Sequence, residues 1–447
     1  MTAQHAQWGS RLTFILAATG SAVGLGNIWK FPYMVGESGG AGFVLVYLVC
    51  IALIGMPVLV AEWLLGRRGG RNPIDTMAKL ARERGRSRAW ALLGVSGVLV
   101  GAVILSFYSV IGGWSLYYTG QAAGAQFAGA DAEGVSEIFD RMLASPGTLL
   151  VVHTLFMAAS VAIVARGLKG GIEMAVRLLM PTLAVLILVL LIYAMFTGHF
   201  GAALHYMFAL DLDSLTGGTV LAAMGQAFFT LSVGAGIMMA YGSYLGQETD
   251  LLSTARTVIA FDTVFALAAG LIIFPIVFAN GLETSEGPGL IFVTLPLAFA
   301  EMSGGTVIGV LFFVLLSFAA LTSSISLLEP AVEFLDERSR LGRVGATVLS
   351  GALIWVLGIA ALLSFNLWSA PLPVVDLTVF DLLDVMTSQY MLPLNGFFAV
   401  LFVGWVLDRE QVRRELGLEG VRATLWSLAA RVIAPLGVGA VFVAGLT

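Results

Sequence analysis

The 447-residue sequence contains few of the residues on which soluble and catalytic domains depend. Charged residues make up only 11%, there is one cysteine, and the four histidines show no spacing typical of metal ligands. The single cysteine, Cys50, excludes an intrachain disulfide, and no small-residue cleavage site follows the first apolar segment, which argues against a signal peptide. The net charge of −5 gives no reason to expect a nucleic-acid partner. We therefore expect no zinc or haem site and no nucleic-acid binding.

The sequence instead has long apolar runs. Hydrophobic residues account for 58% of the chain and the mean hydropathy is +0.94, values outside the range of soluble domains. Since a membrane span needs about 20 apolar residues, the runs predict an all-α polytopic membrane protein with eleven transmembrane helices. They lie at residues 10–36, 40–66, 89–123, 147–165, 172–198, 217–243, 254–281, 305–336, 344–364, 377–407 and 422–445. Shorter apolar stretches at 204–212 and 290–300 predict external helices or re-entrant elements.

Basic residues are concentrated in alternate loops. The loop between the second and third spans contains Arg67, Arg68, Arg71, Lys79, Arg82, Arg84, Arg86 and Arg88, whereas the opposite loops contain acids such as Asp131, Glu283, Glu286 and Asp376. The positive-inside rule then predicts a cytoplasmic N-terminus and, with an odd number of spans, an outside C-terminus. We expect residues 1–198 to contain helices 1 to 5, residues 199–407 helices 6 to 10 with external loop helices, and residues 408–447 a cytoplasmic loop and helix 11.

The run from Ala18 to Pro32 interrupts the first predicted span in its middle. Two apolar half-spans are separated there by Gly20, Gly24, Gly26 and Asn27. Unwound backbone in a bilayer is stable only where protein or a water-filled cavity satisfies its polar groups. Free carbonyls and amides at mid-membrane suit coordination of a cation and of an anionic group. This break is therefore the first candidate binding site.

The sixth predicted span is interrupted in the same way, by Ser232, Gly234 and Gly236. The first and sixth spans hold matching places in two five-span halves of opposite orientation. Paired interruptions of this kind indicate a transporter site at the interface of two inverted repeats. The alternative explanation is close helix packing, the usual role of glycine in membrane helices.

Four segments carry a family resemblance: residues 22–32 (AVGLGNIWKFP), 62–63 (EW), 228–232 (FFTLS) and 321–325 (LTSSI). Their order and spacing resemble the neurotransmitter:sodium symporter family over spans one to ten. Eleven spans, together with nine residues between Gly171 and Pro181, resemble the bacterial branch that contains the multi-hydrophobic amino acid transporter. The resemblance implies a 5+5 inverted-repeat fold with discontinuous first and sixth helices, in the cytoplasmic (inner) membrane of a bacterium.

The resemblance also implies two sodium sites. The ligands of one would be the carbonyls of Gly20, Val23 and Ala319 with the hydroxyls of Thr322 and Ser323. The ligands of the other would be the Ala22 carbonyl, the amide oxygen of Asn27, Thr230, Asp262 and the carboxylate of the substrate. Taken without the resemblance, the Thr322 and Ser323 hydroxyls are also explained by hydrogen bonds to the preceding helical turn.

By the same resemblance, an amino-acid carboxylate would meet the backbone N–H groups of Leu25 and Gly26 and the Tyr108 hydroxyl. Its ammonium would meet the carbonyls of Ala22, Phe229 and Thr230 and the Ser232 hydroxyl. The side-chain pocket would be lined by Ile104, Tyr108, Phe229, Ser232, Ala235, Ser323, Ser326 and Leu327. Gly24 stands where monoamine transporters have an aspartate, which favours amino acids. Ala235 replaces a phenylalanine and favours large aliphatic or aromatic substrates, unless neighbouring side chains refill the space.

The implied gates and charge compensation depart from the family pattern. Tyr108 and Phe229 would form the outer lid, below an external charge pair of Lys30 and Asp384. The internal gate would use Trp8, Arg11 and Tyr244, because His5 stands where an arginine normally pairs with the acid Glu337. Asp262 replaces a sodium-ligating asparagine, and Ala266 replaces a glutamate or a chloride-binding serine. Since an aspartate supplies the compensating charge covalently, we expect no chloride dependence.

These observations predict a secondary transporter that takes up hydrophobic L-amino acids with sodium by alternating access. Its partners would be the amino acid and the lipid bilayer, and no obligate protein partner is evident. Three alternatives remain at this point. A membrane enzyme would need a catalytic set near one leaflet, and no intramembrane histidine lies at a suitable spacing. A channel or sensor would not accumulate substrate, and a relative of the same fold could use protons.

Overall fold

The computed structural model describes residues 7–196, 198–209, 215–282, 289–302 and 304–444. Within these ranges every regular element is helical and none is a strand. His5, Glu283, Glu286 and residues 210–212, which the sequence analysis singled out, lie outside the described residues. The prediction of an all-α membrane protein is confirmed.

Nine helices of the described chain are long and apolar enough to cross a membrane. They are Ala41–Gly69, Arg88–Ala123, Pro146–Val164, Leu168–Met195, Leu251–Ala279, Gly305–Arg338, Gly342–Leu363, Val379–Val406 and Gly420–Ala440. They correspond to predicted spans 2 to 5 and 7 to 11. The remaining two predicted spans are the broken ones, Arg11–Ala22 with Gly26–Glu37 and Gly217–Thr230 with Ile237–Ser243.

Five shorter helices connect the spans: Pro73–Glu83, Ala132–Ala144, Phe200–Phe208, Leu290–Glu301 and Arg409–Glu415. Phe200–Phe208 and Leu290–Glu301 are the two apolar stretches that the sequence predicts as too short to cross. Side chains at the start of some of these helices accept hydrogen bonds from free N–H groups of the first turn. Asn72, for example, accepts from the N–H of Asp75.

The third and eighth spans, which hold matching places in the two halves, pack along each other through the middle of the molecule. The first half of the first span lies against the eighth, fifth and seventh spans. The second half of the sixth span packs tightly on the second span, where a Cβ on Gly66 would lie 2.0 Å from the Met239 carbonyl oxygen. Glycine therefore serves close packing at Gly66, as the packing alternative requires. A glycine of a break does so as well, since a Cβ on Gly234 would lie 2.3 Å from the Leu392 carbonyl oxygen.

The two breaks have different backbone geometry. In the first span the helix ends at Ala22, resumes at Gly26 as a π-helical turn, and bends by 44°. In the sixth span Ser232, Gly234 and Gly236 have φ values of 53°, 83° and 72°. Positive φ ends a helix and strains any residue with a Cβ, so Ser232 is held there against local preference. Both breaks predicted from the sequence are thus present.

Candidate functional site

The two breaks meet, and side chains from other spans satisfy their exposed backbone groups. Leu25 donates its N–H to the Tyr108 hydroxyl at 3.1 Å, and the Gly26 carbonyl accepts from Gln226 Nε2 at 2.6 Å. The Ser232 hydroxyl donates to the Ser21 carbonyl at 2.8 Å and so links the two breaks directly. Because these contacts replace lost helical bonds, the unwound backbone is stable at mid-membrane.

The sixth-span break is anchored from its other side. Gly234 donates its N–H to Glu62 Oε1 at 2.7 Å, and its carbonyl accepts from Asn395 Nδ2 at 2.7 Å. Glu62 and Asn395 are 2% and 4% exposed. Two buried polar side chains from the second and tenth spans therefore hold one glycine, which fixes where the sixth helix resumes.

A small cavity lies between the breaks. Its walls are Ser21, Ala22, Gly24, Gly26, Ile104, Tyr108, Phe229, Ser232, Ala235, Ile237, Ser323, Leu327 and Leu392. Most of the predicted substrate-binding residues lie on these walls. The exceptions are Leu25, Thr230 and Ser326. Leu25 contacts Tyr108 from behind the wall, and the Ser326 hydroxyl is occupied by the Tyr241 hydroxyl at 2.7 Å and the Thr322 carbonyl at 3.0 Å.

Sequence reasoning missed Ser21, Ile237 and Leu392 as wall residues. Ser21 was overlooked because its side chain carried no family motif, although it stands one residue from the first break. Ile237 directly follows the sixth-span break and was open to prediction on the same ground. Leu392 comes from the tenth span, and no signal in the sequence places it against the breaks.

Gly24 has a stricter role than leaving room for a substrate. A Cβ at Gly24 would lie 2.1 Å from Ser323 Oγ and 2.8 Å from the Tyr108 hydroxyl oxygen. Such distances are far below van der Waals contact. Any side chain at Gly24 would therefore displace the hydroxyls of both the third and the eighth span.

The five residues predicted for one sodium site lie together where the first span breaks against the eighth. Ser323 Oγ is 3.4 Å from the Gly20 carbonyl and 3.0 Å from that of Ser21, and Thr322 Oγ1 is 3.4 Å from the Val23 carbonyl. Thr322 also donates to the Ala319 carbonyl at 2.9 Å. The predicted back-bond thus exists for Thr322, but its hydroxyl still faces the first span. All the oxygens here are neutral, and we call this group the neutral set.

The residues predicted for the other sodium site surround Asp262, which is 0% exposed. Its Oδ1 accepts from Thr230 Oγ1 and from Asn27 Nδ2, both at 2.8 Å, and its Oδ2 accepts from the Tyr47 hydroxyl at 3.4 Å. Asn27 turns its amide oxygen toward the Gly24 N–H, at 3.2 Å. Asn27, Tyr47, Thr230 and Asp262 form what we call the acidic set. Ala22, which is also predicted as a ligand, lies on the cavity wall. Tyr47 was not predicted, and a tyrosine in an apolar second span carries no signal for this contact.

These oxygen groups suit a hard cation, and their chemistry argues against a transition metal. Carbonyl, hydroxyl and carboxylate oxygens are ligands of hard ions, whereas zinc takes histidine and cysteine. Among the described residues there is no cluster of three or more His, Cys, Asp or Glu side chains that could hold a metal.

Lys30 and Asp384 form an ion pair on the side of the cavity predicted to be external. Lys30 Nζ lies 2.8 Å from Asp384 Oδ1 and 3.2 Å from Ser388 Oγ. The ammonium also lies 4.6 Å from the centre of the Phe229 ring, in a cation–π arrangement. Lys30 therefore joins the pair to an aromatic wall of the cavity.

Trp8 lies at the other end of the first span from Lys30. Its indole N–H donates to the Tyr241 carbonyl at 3.0 Å, and its ring packs edge-on against Tyr241 and Tyr244. Arg11 does not join it: its guanidinium is at the surface and donates to Ser253 Oγ at 2.9 Å. Glu337 accepts from Asn72 Nδ2 at 2.6 Å. Of the predicted internal gate, the structure brings Trp8 and Tyr244 together, whereas Arg11 lies at the surface beside Ser253.

The charged part of this inner face was missed by the sequence analysis. Glu329, 0% exposed, accepts from the Tyr244 hydroxyl at 2.7 Å and from Arg343 Nη1 at 2.8 Å. Glu333 lies one turn on and accepts from Ser243 Oγ at 2.8 Å. Two acids inside the apolar eighth span were a signal, because ionisable residues within a span mark functional positions.

A second ion pair joins the last residue of the eighth span to the loop helix Pro73–Glu83. Arg338 contacts Asp75 with two guanidinium nitrogens, and this contact lowers the pKa of the Asp75 carboxyl below its usual range. Asn72 Nδ2 also donates to Asp75, at 2.9 Å. The loop helix Pro73–Glu83 is thereby fastened to the end of the eighth span.

Comparison with known proteins agrees with this geometry. The model of the Sodium:neurotransmitter symporter family matches residues 5–136 and 132–447. The "Uncharacterized sodium-dependent transporter YhdH" of Bacillus subtilis is 35% identical over 440 residues, which cover 98% of this chain and 96% of that protein. An "Uncharacterized sodium-dependent transporter" of Haemophilus influenzae is 31% identical over 452 residues, covering 99% and 98%.

A solved structure is also similar over the whole chain. The crystal structure of MhsT in complex with L-phenylalanine has 43% sequence identity and a TM-score of 0.93, covering 99% of this chain and 100% of that one. Two broken helices that enclose a buried cavity, in a fold shared with MhsT, define a multi-pass secondary transporter and not an enzyme. The chain belongs to the sodium:neurotransmitter symporter family and is a sodium-dependent symporter.

Proposed function

We propose that this protein takes up hydrophobic L-amino acids together with sodium, by alternating access, across the cytoplasmic membrane of a bacterium. The single observation that carries the proposal is the cavity between the two breaks. Its walls combine aliphatic side chains, Ile104, Ile237 and Leu327 among them, with polar groups at the breaks and with the hydroxyls of Tyr108 and Ser323. Such a division fits an amino acid whose charged end meets backbone and whose side chain is apolar.

The polar end of the cavity has groups for both charges of the substrate. The Tyr108 hydroxyl on the cavity wall can donate to a carboxylate, and the Leu25 N–H, which donates to the Tyr108 oxygen at 3.1 Å, would act through it. Ser232 Oγ and the carbonyls of the sixth-span break are acceptors for an ammonium. MhsT, which shares 43% identity, was solved with L-phenylalanine. This likeness supports a large apolar side chain, as does Ala235 on the cavity wall.

Two sodium ions would bind beside the substrate, one in the neutral set and one in the acidic set. The substrate carboxylate would complete the acidic set and so couple ion binding to substrate binding. Asp262 would supply the negative charge that compensates the cations, so transport would need no chloride. At an effective dielectric constant near 20, opposite charges about 4 Å apart attract by about 4 kcal/mol, enough to replace a bound anion.

Counter-flow in proteoliposomes tests the proposal. Vesicles loaded with unlabelled leucine or tryptophan should accumulate the labelled amino acid only when sodium is present on both sides. Accumulation driven by a proton gradient without sodium would instead identify a proton-coupled transporter. Currents without accumulation would identify a channel, and the absence of exchange for every hydrophobic amino acid would reject the substrate class.

A further inference from the structure

A second, small cavity lies away from the substrate site, among the end of the tenth span, the loop helix Arg409–Glu415 and the eleventh span. Its lining is strongly basic: it includes Arg409, Arg413 and Arg431, with Ser427 and the ring of Trp426. The positive-inside rule places this loop in the cytoplasm. We propose that this basic groove binds the phosphate headgroup of an anionic phospholipid of the inner leaflet.

The charge in the groove is not neutralised by neighbouring acids. Among the described residues, the one carboxylate that pairs with a groove arginine is Glu410, 3.5 Å from Arg413 Nη1, and Glu410 is shared with Arg414. Arg413 Nε is buried and has no hydrogen-bond partner. A buried guanidinium N–H without an acceptor is costly, and a phosphate oxygen is the acceptor that matches it.

A backbone carbonyl positions the side chain of Arg431 in the wall of the groove. The eleventh span has a π-helical turn at Ala429–Ile433, and Arg431 donates from Nε to the Gly404 carbonyl at 2.5 Å. Among the described residues, Nε is the one Arg431 nitrogen with a hydrogen-bond acceptor, so the two terminal nitrogens of the guanidinium remain for a ligand. An arginine inside a membrane helix that pairs with no carboxylate of the described chain calls for a functional explanation.

The depth of the groove favours a lipid over a soluble anion. Trp405, 59% exposed, stacks on Arg431 at 5.4 Å and donates to the Arg431 carbonyl at 3.2 Å. Exposed tryptophans mark the boundary between headgroups and hydrocarbon. Leu425 and Leu428 on the same helix are 59% and 46% exposed, as lipid-facing side chains are. Basic pockets at this level between spans suit anionic headgroups.

The test is the thermal stability of the purified transporter in detergent with added lipid. Phosphatidylglycerol should raise the unfolding temperature, whereas phosphatidylcholine should not. Arg413→Gln and Arg409→Gln should each weaken the half-maximal effect of phosphatidylglycerol about fivefold, the loss expected for one basic residue. Arg409 is exposed and makes no ion pair among the described residues, so that variant leaves the fold intact.

Arg414→Gln is the matched control, because Arg414 lies on the same loop helix, also pairs with Glu410, and does not line the groove. Its response to phosphatidylglycerol should equal that of the wild type. Equal stabilisation by phosphatidylcholine, or equal weakening in Arg414→Gln, would overturn the proposal. Stabilisation by millimolar inorganic phosphate to the same extent as by the lipid would assign the groove to a soluble anion instead.

Discussion

The two predicted sodium-binding sets differ in the charge of their ligands. The neutral set joins the first and eighth spans through hydroxyls and carbonyls, with Thr322 and Ser323 each within 3.4 Å of a first-span carbonyl. The acidic set joins the first, sixth and seventh spans around one buried carboxylate, Asp262, which three side chains contact. The comparison teaches that only one of the two sets has a fixed charge to compensate a cation.

This difference also implies different roles for the two sets: sodium binding alone for the neutral set, and sodium binding coupled to the substrate for the acidic set. A neutral set binds a cation by geometry alone, so its affinity depends on the approach of the first and eighth spans. The acidic set lies beside the cavity and would include the substrate carboxylate as a further ligand. We therefore expect a change in the acidic set to affect sodium, substrate and chloride together, and a change in the neutral set to affect sodium alone.

Asp262→Asn should have the largest effect. Replacing the carboxylate by an amide removes an attraction of about 4 kcal/mol at an effective dielectric constant near 20. The sodium concentration for half-maximal uptake should rise by at least about a hundredfold. Sodium titration of amino-acid uptake in proteoliposomes measures it. Asp250→Asn, at the N-cap of the same helix, is the control, because asparagine caps as well as aspartate. Unchanged sodium activation in Asp262→Asn would remove Asp262 from the site.

The double variant Thr322→Ala with Ser323→Ala should rank second. It removes two hydroxyl ligands, each worth about 1.5–3 kcal/mol when it contacts a charged group, so the sodium requirement should shift tenfold or more. Ser324→Ala serves as the control, since Ser324 lies on the same helix and bonds instead to Ser160 Oγ and the Leu321 carbonyl. A double variant with wild-type sodium activation would refute the neutral set.

Ala235→Phe should change selectivity more than total activity. Ala235 is 1% exposed on the cavity wall, and a phenyl ring there overfills the pocket at a cost of about 1–3 kcal/mol. Tryptophan uptake should fall about tenfold or more while alanine or leucine uptake persists. The ratio of uptake rates within one preparation is the measurement. Equal losses for all three amino acids would place Ala235 outside the side-chain pocket.

Lys30→Gln should have the smallest effect. The side chains of Lys30 and Asp384 are 9% and 26% exposed, so solvent screens the pair in part and we expect a contribution near the upper end of that of exposed ion pairs, about 1 kcal/mol. The KM for the amino acid should rise by about two- to fivefold as the external closure weakens. Arg141→Gln, which breaks the exposed pair with Glu137 at 2.7 Å, should leave the KM unchanged. A loss of more than about a hundredfold in Lys30→Gln would give Lys30 a direct role in binding.

The sequence predicted the breaks well because glycine and serine interrupt otherwise apolar runs, a local signal. At Ser232, Gly234 and Gly236 the predicted interruption coincides with three positive φ values. Contacts between helices that are distant in the sequence were harder to predict. Arg11 bonds to Ser253 and Glu337 to Asn72, because each position is set by the packing of other elements, which no local pattern records.

The pairing of Glu329 with Arg343 shows the same limit. Both residues are visible in the sequence, but no local pattern indicates that the side chain of Arg343 reaches back to Glu329 of the eighth span. Leu392 was likewise hidden, since its place on the cavity wall depends on how the tenth span lies against the breaks. The chemical type of a residue could thus be used for prediction from the sequence, whereas the residue that it contacts in another helix could not be predicted.

Sodium-driven uptake with chloride replaced by gluconate tests the central claim most directly. Wild-type protein in proteoliposomes, with an inward sodium gradient and labelled phenylalanine or leucine, should accumulate substrate at the same rate in both anions. That result is expected because Asp262 carries the compensating charge. Uptake that stops in gluconate and returns with chloride would contradict the account.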